Sequence, residues 1–105
     1  MNTPNTEELA LVKKAGSLIS SNAFEEAIEV LNKILIISPN NVEALNNKGY
    51  SLNQIGKWQE AIEIFDELIK NNPENTLLLI SKGHSLNGLG KYQEAINYLK
   101  KFNAG

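Results

Sequence analysis

The chain has 105 residues, 42% hydrophobic and 21% charged, with a formal net charge of -2 and no cysteine. That is enough for one modest core, without a basic field for nucleic acid or anionic lipid and without disulfides, thiolate metal sites or cysteine nucleophiles. The longest apolar runs, 34–37 and 77–80 among them, are far short of the ~20 residues of a membrane span, and the polar, acidic start at 1–8 has no signal-peptide pattern; the expectation is a cytoplasmic protein with no membrane or nucleic-acid partner.

Six helices are predicted, over 6–21, 24–37, 42–55, 58–71, 76–89 and 92–103. The first carries Leu11, Ala15 and Leu18 at i, i+4 and i+7, one face of a helix of 3.6 residues per turn. The polar turn Ser21-Asn22-Ala23 leads to the second, which opens on Phe24 and ends at Pro39-Asn40-Asn41. Proline cannot continue a helix, and asparagine caps the next one through its side-chain oxygen. The third repeats the first stripe as Leu45, Gly49 and Leu52, then stops at Ile55-Gly56-Lys57, where glycine accepts the left-handed conformation that ends a helix. The fourth sets Trp58, Ala61, Ile62, Phe65, Leu68 and Ile69 on one face and closes at Pro73-Glu74-Asn75. The fifth has Leu79, Gly83 and Leu86; the sixth has Tyr92, Ala95, Ile96, Leu99 and Phe102.

The chain repeats itself. Gly56-Lys57-Trp58-Gln59-Glu60-Ala61-Ile62 returns as Gly90-Lys91-Tyr92-Gln93-Glu94-Ala95-Ile96, with a looser copy at 22–28. One fixed step leads from Ala27 to Ala61 and again from Ala61 to Ala95, and Pro39/Pro73, Gly49/Gly83 and the leucine series keep it. Small residues at equivalent places mark close helix crossings, where overpacking costs about 1–3 kcal/mol. Phe24, Trp58 and Tyr92 are expected to plug the gap between the helices of a unit and its neighbour.

Leu45, Gly49, Leu52, Ala61, Phe65 and Pro73 stand at the offsets of the tetratricopeptide repeat, a helix–turn–helix of about 34 residues, and the chain closely resembles that family over 8–41, 42–75 and 76–105. The resemblance implies an all-α fold: a helix-turn-helix repeat solenoid, a right-handed superhelix of three such helix pairs forming a single domain over 1–105. Two departures stand out. The first unit has Ala15 in place of the glycine and lacks the Gly-Lys turn, a pattern expected either of a terminal cap or of a frayed end. No polar helix shields the last one, which leaves Ile96, Leu99 and Phe102 partly uncovered.

In this family the first helix of each unit lines a concave wall. The outward stripe there holds Asn46, Tyr50 and Asn53 in the middle unit, with Asn47 and Gln54 beside it, and Ile80, His84 and Asn87 in the third, with Ser81 alongside. In the first unit it is Val12, Gly16 and Ile19. Amides both donate and accept, so they pair with the backbone of an extended peptide whatever its side chains, and Tyr50 adds rigid contact area. The expected function is therefore a scaffold or adaptor that binds a peptide segment of a partner protein in its groove. Alternatives are a self-assembly element, forming homo-oligomers through the unshielded last repeat, or a docking segment cut from a larger multidomain protein. Some co-chaperones of the family clamp a C-terminal carboxylate; of the corresponding positions Val12, Gly16, Asn47, Leu77 and Ser81, only Asn47 matches, and no cation remains for the carboxylate.

No enzyme, metal site or cofactor is expected. His84 is the only histidine, the acid clusters alternate with lysine on helix faces, and no phosphate-cradling glycine loop occurs. Lys14, Lys48 and Lys82 recur in register before the small residue; their stems are expected to cover apolar surface while the ammonium reaches water.

Overall fold

A computed structural model describes residues 6–103, with side chains described as far as residue 101. It contains six α-helices: α1 Thr6–Ser20, α2 Phe24–Ile37, α3 Val42–Gln54, α4 Trp58–Asn71, α5 Thr76–Gly88 and α6 Tyr92–Asn103. Each packs against the next in sequence, and α3 also touches α5. The result is a flattened array of 44 × 31 × 19 Å, an all-α helical-repeat solenoid.

Local chemistry explains the boundaries. At the end of α3 the Lys57 N–H donates to the Leu52 carbonyl at 2.9 Å and the Gly56 N–H to that of Asn53 at 3.1 Å. This double closure requires a left-handed residue, and Gly56 has φ +79°. Gly90 (φ 83°) repeats it after α5; Asn22 (φ 61°) does so after α1, asparagine being one of the few other residues that tolerate this region. The atypical first turn is thus the same turn in different residues. At the N-termini, Asn41 Oδ1 accepts from the Ala44 N–H at 3.0 Å, and Asn75 Oδ1 accepts from Leu77 and Leu78. Glu8 then ties α1 to this corner, accepting from Ser38 Oγ at 3.0 Å and Asn41 Nδ2 at 3.2 Å.

The core crosses the repeat boundaries. Ala15, Val30, Leu31 and Ile34 of the first pair enclose Ala44 of α3; Leu52, Ala61, Phe65 and Leu68 of the second enclose Leu78 of α5. Ala27 and Ala61 are fully buried, and Ala95 nearly so. Trp58 plugs the joint with the following unit: Gly88 of α5 lies flat against its indole, where a Cβ would collide with the ring. Phe102, expected on the uncovered face, has its side chain outside the described residues.

Gly49 and Gly83 occupy equivalent sites with different neighbours. A Cβ on Gly49 would stand 2.7 Å from Cζ of Phe65, a ring that cannot retreat because it is 1% exposed. At Gly83 the nearest atoms would be 4.0 Å away, because Leu99 replaces the phenylalanine. Gly49→Ala is therefore expected to destabilise by about 1–3 kcal/mol. Gly83→Ala should be neutral or gain up to about 1 kcal/mol of helix propensity. Urea-unfolding midpoints of the two variants check this contrast.

Candidate functional site

The first helices lie side by side because each second helix wedges behind its own partner and the next one. Two ring contacts fix their outward faces. Phe24 meets Tyr50 edge-on, with centroids 5.8 Å apart and planes at 71°; Trp58 meets His84 in the same way at 5.7 Å and 76°. The two pairs are images of one another, one repeat apart: the rings opening α2 and α4 each position a ring on the following first helix. Tyr50 remains 46% exposed beyond this contact, and its outer edge looks into the space between α3 and α5.

That space is a groove made of two joined clefts. The larger, about 420 Å³, has Asn46, Asn47 and Tyr50 on one wall and Leu77, Ile80 and Ser81 on the other, with Ile19 of α1 at its margin. The smaller, about 290 Å³, continues along α3 to Gln54 and along α5 to His84. Tyr50, Ile80 and Ser81 belong to both, and no lysine or carboxylate lines either.

Two of the sequence-predicted residues differ from the rest of the strip. Asn53 lines the smaller cleft but is only 4% exposed, at its floor. Its Oδ1 accepts from the Ser85 hydroxyl at 2.6 Å, and its Nδ2 points at the Ser81 carbonyl at 3.5 Å, so the amide pins α3 to α5 beneath the groove. Asn87 lies past the groove, in a separate cleft of about 330 Å³ between α5 and α6 that also takes in Ile80 and His84. Leu77, which the sequence places at one of the clamp positions but outside the expected strip, also lines the groove. It is 72% exposed in the first turn of α5, an apolar residue off the core stripe where the middle unit has Glu43.

Lys82 also departs from expectation. Rather than reaching water, its ammonium pairs with Asp66 of α4 and donates to the Tyr98 hydroxyl of α6, leaving the side chain 12% exposed. Burial disfavours its charge, but the hydrogen bonds to Asp66 and Tyr98 outweigh this and hold its pKa above the ordinary lysine value. Lys14 is exposed and Lys48 half-buried. Among the described residues no three histidine, aspartate or glutamate side chains gather as a metal site, and no helix is long and apolar enough to cross a membrane.

Paired helices in a regular register, sharing a core across their joints and leaving one face of the first helices open, define a repeat protein of the tetratricopeptide type. The family model described as anaphase-promoting complex, cyclosome, subunit 3 matches residues 20–102, most of the chain, and the chain belongs to that family. No curated protein matches the sequence. Among solved structures it is similar to MamA (41-end) from Desulfovibrio magneticus RS-1, with TM-score 0.84 and 20% identity over 90% of this chain and 53% of that one. It is likewise similar to MamA MSR-1, with TM-score 0.83 and 21% identity over 92% and 56%. The tetratricopeptide domain of P58(IPK) superposes with TM-score 0.81 and 20% identity over 90% and 28%. The chain spans about half the length of the MamA structures, and at this identity the likeness defines the fold. The fold is that of a protein–protein interaction module.

Ser51 and Ser85 are equivalent and both fully buried, yet only Ser85 has a partner. The position of Asn53 is held in the first unit by Ile19, and the Ser51 hydroxyl is left without a hydrogen bond. Ser85→Ala is expected to cost about 1–3 kcal/mol by orphaning the Asn53 oxygen, whereas Ser51→Ala should be neutral or stabilising. Thermal unfolding of the two variants compares them directly.

Proposed function

We propose that this module holds an extended, apolar and uncharged peptide segment of a partner protein in the groove between α3 and α5. The observation that carries the reading is the groove's two-sidedness: amides and a tyrosine on α3 face aliphatic Leu77 and Ile80 on α5, without a charged residue between them. Asn46 and Asn47 would pair with the peptide backbone, while alternate side chains of the extended peptide would bury against Leu77 and Ile80. Tyr50, already steadied by Phe24, would supply a rigid central contact. Ser81, Gln54 and His84 would fix polar positions further along; Asn53 would act from below, by setting the spacing of the two walls.

The role is binding, in the manner of a scaffold or adaptor, and the cysteine-free composition supports a cytoplasmic setting. A longer protein carrying this segment would use it as a docking element, with the groove serving the same purpose.

Selection of peptides from a random display library on the intact chain tests the reading. Selected sequences are expected to be apolar with little net charge. Their affinity should fall at least about tenfold, or roughly 1.4 kcal/mol, on the double change Asn47→Ala and Tyr50→Ala. Selection of strongly charged motifs, or affinity indifferent to that double change, would count against the groove.

A further inference from the structure

The middle unit builds one corner differently from its neighbours. In the first unit Glu8 reaches across from α1 to Ser38 and Asn41 and bridges the end of the helix pair. One repeat on, Glu8 becomes Val42 and Ser38 becomes Asn72. Valine cannot make that bridge, and a cleft of about 340 Å³ opens between the first turn of α3 and the last turns of α4. At the same corner Lys33 of the first unit and Lys101 of the third give way to Glu67. The middle unit thus loses a bridge and reverses a charge in one place.

The cleft has two sides of different chemistry. Pro39, Val42 and Leu45 make an apolar shelf, on which Val42 is 57% exposed. Glu67, Asn71 and Asn72 make the other side. Asn71 Nδ2 donates to the Glu67 carbonyl at 3.5 Å and Asn72 Nδ2 to the Leu68 carbonyl at 3.3 Å, so both amide nitrogens are turned back onto the end of α4. Their Oδ1 atoms and the Glu67 carboxylate receive no hydrogen bond from any described residue. The carbonyl end of α4 adds partial negative charge, and no lysine lines the cleft. A carboxylate and two amide oxygens beside an apolar shelf match a guanidinium, which is planar, donates only, and hangs on a stem that covers apolar surface.

We propose that this edge cleft receives an arginine side chain of a partner protein, with the guanidinium on Glu67, Asn71 and Asn72 and the stem along Val42 and Leu45. All ten cationic residues of the chain are lysines, so a second copy has no arginine to offer. Stacked repeats do not reach the cleft either: a helix pair stands on each side of the middle unit, and the cleft is open with both in place. It shares no lining residue with the groove between α3 and α5, so the inference stands apart from the peptide reading.

The probe is N-acetyl-arginine methylamide, titrated into the full chain and followed by amide chemical shifts, beside the matching citrulline and lysine compounds. Saturable shifts are expected at the backbone amides of Val42 and Leu45 and the side-chain amides of Asn71 and Asn72. Citrulline, which keeps the shape without the charge, should bind at least about fivefold more weakly, and Glu67→Gln should weaken the arginine compound as much. The double change Asn47→Ala and Tyr50→Ala should leave its binding unchanged. Shifts that are absent, that lie elsewhere, that citrulline reproduces or that Glu67→Gln leaves unmoved overturn the proposal. Equal binding of the lysine compound also overturns it, because the cleft would then be open to the lysines of a second copy. Loss of binding in the double variant would move the arginine to the peptide groove and overturn it as well.

Discussion

Alanine sets the spacing of this molecule. Ala27, Ala61 and Ala95 stand one step apart on the second helices, and each is buried to within 3% of completely. A helix can lie against two neighbours at once only if its backbone comes close to both, and a side chain larger than a methyl at the crossing would hold them apart. Around each alanine the larger apolar residues complete the contact, Leu52, Phe65 and Leu68 about Ala61, with Leu78 arriving from the next pair. The core is therefore shared rather than owned by any unit, and a lone pair of these helices could not bury its apolar face.

From that spacing the open face follows. With the second helices wedged behind, the first helices stand parallel, and α3 and α5 meet closely enough for Asn53 and Ser85 to bond across the joint at 2.6 Å. The bond lies beneath the groove and ties its two walls together, which on the proposed reading leaves little ordering for a ligand to impose. The ring pairs Phe24–Tyr50 and Trp58–His84 do the same for the residues that look outward. The geometry thus prepares a fixed, uncharged slot whose two walls come from successive repeats.

Much of this was legible in the sequence. The single period kept by the alanines, glycines and prolines placed all six helices to within a residue, because caps and turns are decided by local chemistry that a few residue types carry. The exceptions share one cause. Asn53 and Asn46 are both on the outer side of the same stripe, yet one is buried and the other exposed, since the edge between wall and joint depends on how α5 is rotated against α3. Lys82 looks like Lys14 and Lys48, but its environment comes from Asp66 and Tyr98, whose equivalents in the preceding unit are Asn32 and Ile64. Ser51 and Ser85 are the same residue at the same place, separated in fate by Ile19 and Asn53. Periodicity reveals what the repeats have in common; the side chains that differ between them reveal which joint they serve.

A core held in common across joints makes a definite claim about opening. Native-state hydrogen exchange of the full chain measures it most directly. The amides of α3 and α4, above all those of Leu52, Ala61 and Phe65, should exchange only through global unfolding, with protection declining toward α1 and α6. Exchange of the middle pair through local opening, while the outer pairs stay protected, would mean that the units stand separately and would contradict the account.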